Sequence, residues 1–189
     1  MGALGGMRIL ECGELVAAPY AAKLLAHLGA DVVKVEPRDG DPARRRGPFP
    51  RGEAHLERSG LHLYLNQAKR SVVVDWSRAA DVERFRRLVA AADALLVSGS
   101  PRSIEERGLT YERLRDVNSR LVVTTITPFG MTGPRRDWAA TELIEAAAGG
   151  WLFISPGALA DASLPPLKAF GQQADFQGGC MARWPRSAR

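Results

Sequence analysis

The chain has 189 residues, a net charge of +5, and hydrophobic and charged shares of 46% and 25%. That is enough chain for one domain with its own core, at a composition ordinary for a globular protein. No apolar run nears the roughly 20 residues that a bilayer crossing requires, and two cysteines, Cys12 and Cys180, make no disulfide framework or metal-ligand spacing.

The opening MGALGGMRIL lacks a basic segment followed by a long apolar one, so it does not read as a signal peptide, and Gly6 breaks the myristoylation pattern. A cytoplasmic location is the expectation. His27, His55 and His62 are scattered, read as surface or loop residues, and no metal is expected. The positive balance suggests an anionic partner. Its densest run, DPARRRGPFPRG, holds Arg44, Arg45, Arg46 and Arg51 among Pro and Gly, and reads first as a solvated loop. A phosphate-bearing small molecule is the second reading. Nucleic acid is the third and is not adopted, because no aromatic residues alternate with the arginines.

In chain order, MRILEC (7–12) predicts a buried strand and PYAAKLLAHLG a helix, with Pro19 at its first position and Gly29 as its stop. ADVVKVEP predicts a second strand ending at Glu36, and strand, helix and strand together have the size of a βαβ unit. From Pro37 to His62 the chain is charged and Pro/Gly-rich, which predicts a long loop. SVVVDW (71–76) predicts a strand, and residues 79–91 a helix with Val82, Phe85, Leu88 and Val89 at helical spacing. DALLVSG is the next strand, TYERLRDVN a short helix, RLVVTTITPFG a strand, and ATELIEAAAGG a helix stopped by Gly149 and Gly150. The alternation predicts a doubly wound, Rossmann-like parallel α/β sheet without internal repeats. Such sheets bind ligands at the carboxyl ends of their strands. Those ends are CGELVAAP, EPRDGDP, VSGSP and ITPFGMTGP, all with small residues that allow close approach to the backbone.

The usual fingerprints are missing. The first strand–helix turn has no G-x-G-x-x-G, although Glu36 stands where a ribose-binding acid would. The P-loop and the G-x-S-x-G elbow are absent as well. One carboxylate remains conspicuous, Asp175 within GQQADFQGG. Read alone, it is a helix-capping or turn aspartate.

Four segments in one order change that reading: ELVAAPYAAKLLAHLGADVVKVEP, LNQAKRSVVVDW, GLTYERLRDVNSRLVVTTITPFGMTGP and ADFQGG. Together they resemble the family III CoA-transferases, a group that includes formyl-CoA and carnitine CoA-transferases and α-methylacyl-CoA racemase. The resemblance implies that Asp175 is the nucleophile. Its carboxylate would attack an acyl-CoA thioester to give a mixed anhydride. The released thiolate would then form an aspartyl-CoA thioester, from which an acceptor acid takes the CoA. An aspartate suits this, being ionised at neutral pH without a base to help it. Small neighbours such as Ala174 and Gly178 leave room for a thioester.

The racemase branch pairs its aspartate with a histidine, whereas the matching positions here are Ala140, Thr141 and Glu142, so the transferase reading is preferred. The resemblance also implies CoA contacts at Leu15, Val16 and Ala17, at Arg38 beside Pro37, at Leu65, Asn66, Gln67, Ala68, Lys69 and Arg70, and at Ser98, Gly99 and Ser100. CoA and acyl-CoA enter as substrates beside a small carboxylic acid, with no prosthetic group.

Two departures matter. Where the family reads ENFRPG this chain has VSGSPR, losing an Asn and an aromatic, and a family arginine falls at Glu106 with Arg107 adjacent. Family members also continue for about as many residues again, into a small domain and a returning segment that interlocks two subunits. The expectation is therefore a partial large domain over 1–179 and an irregular tail over 180–189, with a family-type homodimer only if the remaining half is supplied. The alternatives are an inactive CoA-binding remnant and one half of a split enzyme.

Overall fold

The structure is a computed structural model, and it describes residues 2–155, 163–165 and 167–182. Five strands form one all-parallel sheet: β1 (Arg8–Cys12), β2 (Asp31–Glu36), β3 (Lys69–Val73), β4 (Ala94–Ser98) and β5 (Val122–Ile126), in the order β3-β2-β1-β4-β5. This is the doubly wound α/β arrangement that the sequence predicts. Register runs straight through the centre, with Leu10 of β1 opposite Val33 of β2 and Leu95 of β4.

Alternation along the strands sorts the two faces. Leu10, Cys12, Val35, Leu95 and Val97 point to a core shared with Phe85 and Val89 of α3 (Ala79–Ala90), Ile104 of α4 (Pro101–Glu106) and Leu114 of α5 (Tyr111–Leu114). Trp76 closes this side edge-on to Phe85, ring centroids 5.0 Å apart. On the other face Ile9, Val32 and Leu96 pack on Ala18, Ala21, Ala22 and Ala26 of α1 (Ala17–His27). Four alanines on one stripe let α1 lie very close to the sheet.

Helix α1 starts two residues before the predicted Pro19. Its N-cap is Val16, which has no capping side chain. A larger correction falls on residues 37–62. That stretch is not a free loop: short 3-10 turns at Pro42–Arg45 and Pro50–Gly52 lead into α2 (Gly60–Leu65). Asp41, Ala43, Ser59 and His62 are buried in it, so His62 is a core residue and not a surface one. Arg44 is likewise no solvated loop charge. It is 16% exposed and donates to both oxygens of Glu36, at 2.8 and 2.9 Å. Burial opposes ionisation of Glu36, but these bonds, with those from Ser71 Oγ at 2.8 Å and the Asp41 N–H at 3.1 Å, overcome it and hold Glu36 down at about 2.

After β5 come α6 (Glu142–Ala148), α7 (Trp151–Ile154) and α8 (Gln173–Ala182). The expected irregular tail over 180–189 does not hold at Cys180 to Ala182, which continue α8, and residues 183–189 lie outside the described part. No helix among the described residues is long and apolar enough to cross a membrane.

Candidate active site

Strands β1 and β4 are neighbours, but the chain leaves them in opposite directions, and this opens a crevice above their carboxyl ends. Gly13, just past β1, makes that crevice possible: a Cβ there would stand 2.3 Å from the Ala18 side chain and 2.6 Å from Ser98 Oγ. Leu15, Val16 and Ala17 form one wall of the resulting cleft, and Ser98, Gly99 and Ser100 another. The space is about 1920 Å³, well beyond the roughly 300–1,000 Å³ of a compact ligand pocket, and opens widely to solvent.

Helix α8 lies across α1 and brings its own first turn to the cleft. Gly179 sets the approach, because a Cβ there would sit 2.5 Å from the carbonyl oxygen of Ala17. Phe176 packs edge-on to Tyr20 at 4.8 Å, and Tyr64, with Lys23 Nζ 3.1 Å from its ring centre, closes the other side. Gly178 is different: a Cβ would meet only the Ile126 methyl, at an ordinary 3.7 Å. With these contacts α8 presents Ala174, Asp175, Gln177 and Gly178 to the cleft.

Asp175 is half-buried. Gln172 Nε2 donates to its Oδ2 at 3.4 Å, a long contact. Loss of water raises its pKa above the ordinary carboxylate value, Glu142 raises it further, and Arg46 and Lys168 pull the other way. Glu142 is committed elsewhere. Its Oε1 accepts the Ala174 N–H at 3.2 Å, and its Oε2 lies 2.6 Å from Lys168 Nζ. Glu145 shares the cleft with Asp175, and burial first and the Asp175 charge second raise its pKa too. One cleft thus holds two carboxylates that both resist ionisation.

A family model described as CoA-transferase family III matches residues 4–185. The chain belongs to this family. It is 43% identical over 143 residues to the succinyl-CoA:(R)-benzylsuccinate CoA-transferase subunit BbsE of Thauera aromatica, a match covering 76% of this chain and 34% of that protein. It is 37% identical over 155 residues to the succinate–glutarate CoA-transferase of Agrobacterium fabrum, covering 80% and 39%. Among solved structures, a CaiB/BaiF family protein from Brucella suis superposes with a TM-score of 0.84 at 30% identity, covering 96% of this chain and 47% of that one. The chain spans under two-fifths of the length of those two curated relatives and about half of the solved structure.

Of the residues that the family III resemblance nominates, the structure brings Leu15, Val16, Ala17, Ser98, Gly99, Ser100 and Asp175 to one cleft. The others stand apart from it. Arg38 is exposed, its charge felt by Asp75. Leu65 is fully buried, and Asn66 is tied to His62. Lys69 is enclosed with Glu11 at 2.7 Å, and Arg70 is paired with Asp31 at the amino ends of the strands. Gln67 and Ala68 are exposed, the latter at φ +60°.

The structure also brings to the cleft residues that the sequence did not nominate for the site. Arg107, Arg136, Trp138 and Glu145 line the cleft. Arg107 faces Glu14 at a loose 3.8 Å, and Trp138 is 58% exposed. The signal was present in PRRDW (134–138), a paired cation beside an aromatic just beyond a strand end.

Proposed function

We propose that this chain carries the acyl-accepting half of a family III CoA-transferase, which moves CoA from an acyl-CoA thioester to a carboxylic acid by way of Asp175. One observation carries the reading: the only carboxylate of the ADFQGG stretch stands on the cleft at the switch point of the sheet, half-stripped of water. A less solvated carboxylate is more basic and more nucleophilic.

Atoms balance simply in the proposed sequence. An Asp175 oxygen bonds to the thioester carbonyl carbon, the C–S bond breaks, and CoA leaves as its thiolate. The thiolate then attacks the Asp175 side of the mixed anhydride, expelling the donor acid and leaving CoA on Asp175. The acceptor carboxylate repeats the two steps in reverse and regenerates Asp175. No proton need move, so no partner base is required. The absence of a histidine at Ala140, Thr141 and Glu142 fits transfer better than racemisation, which needs two bases.

For the CoA portion, Arg107 and Arg136 supply cations and Trp138 an exposed ring, the kinds of group that this chain loses from the family pattern at Glu106 and at Ser98 and Gly99 respectively. A donor acid and an acceptor acid are the small partners, and the names of the relatives make succinyl-CoA the first donor to try. The open cleft needs a cover that keeps water from the anhydride. In this reading it comes from the remaining family length, either in one longer chain or on a separate subunit.

The test is a trap. The protein is incubated with succinyl-CoA and hydroxylamine and digested, and the peptide carrying Asp175 is weighed. A hydroxamate on Asp175 is expected, with Asp175→Asn lowering its yield by about 10³-fold or more, as loss of a nucleophile does. Wild-type protein that forms none, alone and with a family C-terminal half added, ends the reading.

A further inference from the structure

One charge of the 37–62 excursion, Asp41, reaches the connection from β1 to α1, where it joins Glu11, Lys34 and Lys69. Asp41 is fully buried and caps the turn Pro42–Arg45 by accepting the Ala43 N–H at 2.8 Å. The same Oδ1 accepts the N–H of Leu15 at 3.0 Å. Leu15 has φ +61°, a left-handed conformation that a leucine keeps only where its surroundings impose it. Behind Asp41, Lys34 Nζ faces Oδ2 at 2.8 Å as an ion pair without hydrogen-bond alignment. Lys34 also donates to Glu11 at 2.7 Å and to the carbonyl of Gly13 at 2.9 Å. The other oxygen of Glu11 takes Lys69, which donates in turn to the carbonyl of Pro19 at 2.7 Å.

Two carboxylates and two ammoniums thus form a neutral set withdrawn from water. As a source of stability such a set is poor, since apolar residues of similar volume usually do as well. Its contacts say what else it does. It grips the backbone connection from β1 to α1 at three points: before the turn at Gly13, within it at Leu15, and beyond it at Pro19.

We propose that this buried charge group is a positioning device for the cleft wall Gly13–Ala17, and that Asp41 is the residue holding Leu15 in place against the CoA portion of the substrate. The CoA half of this statement rests on the function proposed above. The positioning half does not.

Hydrogen–deuterium exchange on the purified chain reads the positioning without any ligand. In Asp41→Ala the Leu15 amide is expected to exchange about tenfold faster or more, while the amides of β4 and β5 keep their wild-type rates. The double variant Asp41→Leu with Lys34→Met replaces the pair by apolar groups, so it keeps the fold even if Asp41→Ala does not, and it carries the same expectation at Leu15. Unchanged Leu15 exchange in a folded variant overturns the proposal. So does acceleration spread equally over β4 and β5, which would make the group a general prop. Calorimetry with CoA then separates the two halves. Weakening of about tenfold in either variant supports both. Wild-type protein that does not bind CoA sinks the ligand reading and leaves the exchange result standing. Equal binding by wild type and variants sinks the link between Leu15 and CoA alone.

Discussion

Phe85 and Phe153 are the same side chain in opposite situations. Phe85 is 2% exposed, locked against Trp76 beneath α3, whereas Phe153 stands 90% exposed beside the cleft. The contrast extends to their neighbourhoods. Up to Leu121 the chain completes two apolar clusters, one on each face of the sheet. Beyond Leu121, Ala146 is the only buried apolar side chain among the described residues, while Ile154, Phe170 and Met181 stand as exposed as Phe153 or nearly so. The carboxylates differ in the same sense. Glu36, deep in the sheet side, is surrounded by donors and held low, whereas Asp175 on the cleft has few and is held high. Among the described residues, one region encloses its apolar side chains; the other leaves apolar surface open and a carboxylate poorly provided with donors.

Cutting each phenylalanine is the strongest way to break that comparison. Phe85→Ala should cost about 3–5 kcal/mol in urea unfolding, the usual result of emptying a packed aromatic site. Phe153→Ser should stay within about 0.5 kcal/mol in the same assay. Similar losses for the two would mean that the cleft side has a core after all.

Glu36 tests the electrostatic half. Its folded pKa is depressed, from 4.5 to about 2, so its contribution is present above pH 4.5 and fades as pH falls toward 2. By the 1.36 kcal/mol that each pKa unit represents, the contribution is roughly 3 kcal/mol. Glu36→Gln should lose about that much at pH 7 and flatten the acid limb of the stability curve. A curve parallel to wild type between pH 2 and 5 would remove Glu36 from the account.

The two glycines of FQGG sharpen the boundary between the regions. Gly179→Ala would drive a Cβ into the Ala17 carbonyl at 2.5 Å and should cost about 1–3 kcal/mol, as overpacking against backbone does. Gly178→Ala meets only a methyl at contact distance and should be neutral or slightly favourable, since alanine suits a helix. Equal effects would mean that α8 does not seat on α1 as described.

What could be read in advance follows from the same division. Strands β1 to β5 carry period and propensity in their own residues, so VVKVE and ALLVS announce themselves. The join of residues 37–62 to the sheet does not, because it rests on single polar contacts between segments far apart: Asp41 with Leu15, Arg44 with Glu36, Lys69 with Glu11. Local cues were available there, as Asp41 before Pro42 and Ser59 before Gly60 are helix-start signals. The Pro, Gly and Arg content around them favours a loop reading instead. At the site, ADFQGG pointed to Asp175, but nothing in one sequence places Glu145 beside it, since that pairing arises only when α6 and α8 meet over β5.

The smallest effect runs against intuition, because removing the proposed nucleophile should make the protein more stable. Burial raises the folded pKa of Asp175 above its unfolded value, so the unfolded chain ionises first as pH rises. Between those two values the native state holds more protons, and stability falls with increasing pH until both states are ionised. The cost is then constant to neutrality and absent in acid, opposite in sign to Glu36. Asp175→Asn removes the charge without changing the shape, so its melting temperature should sit slightly above wild type at pH 7. The gap should close as pH drops below the ordinary carboxylate range. Glu145, whose pKa Asp175 helps to raise, should relax toward its usual value in the variant, a shift that carboxyl-carbon NMR titration can follow. A variant less stable than wild type at pH 7, or a Glu145 titration that does not move, would mean that Asp175 is satisfied where it stands, as a helix-capping residue is, and not held in readiness for a thioester.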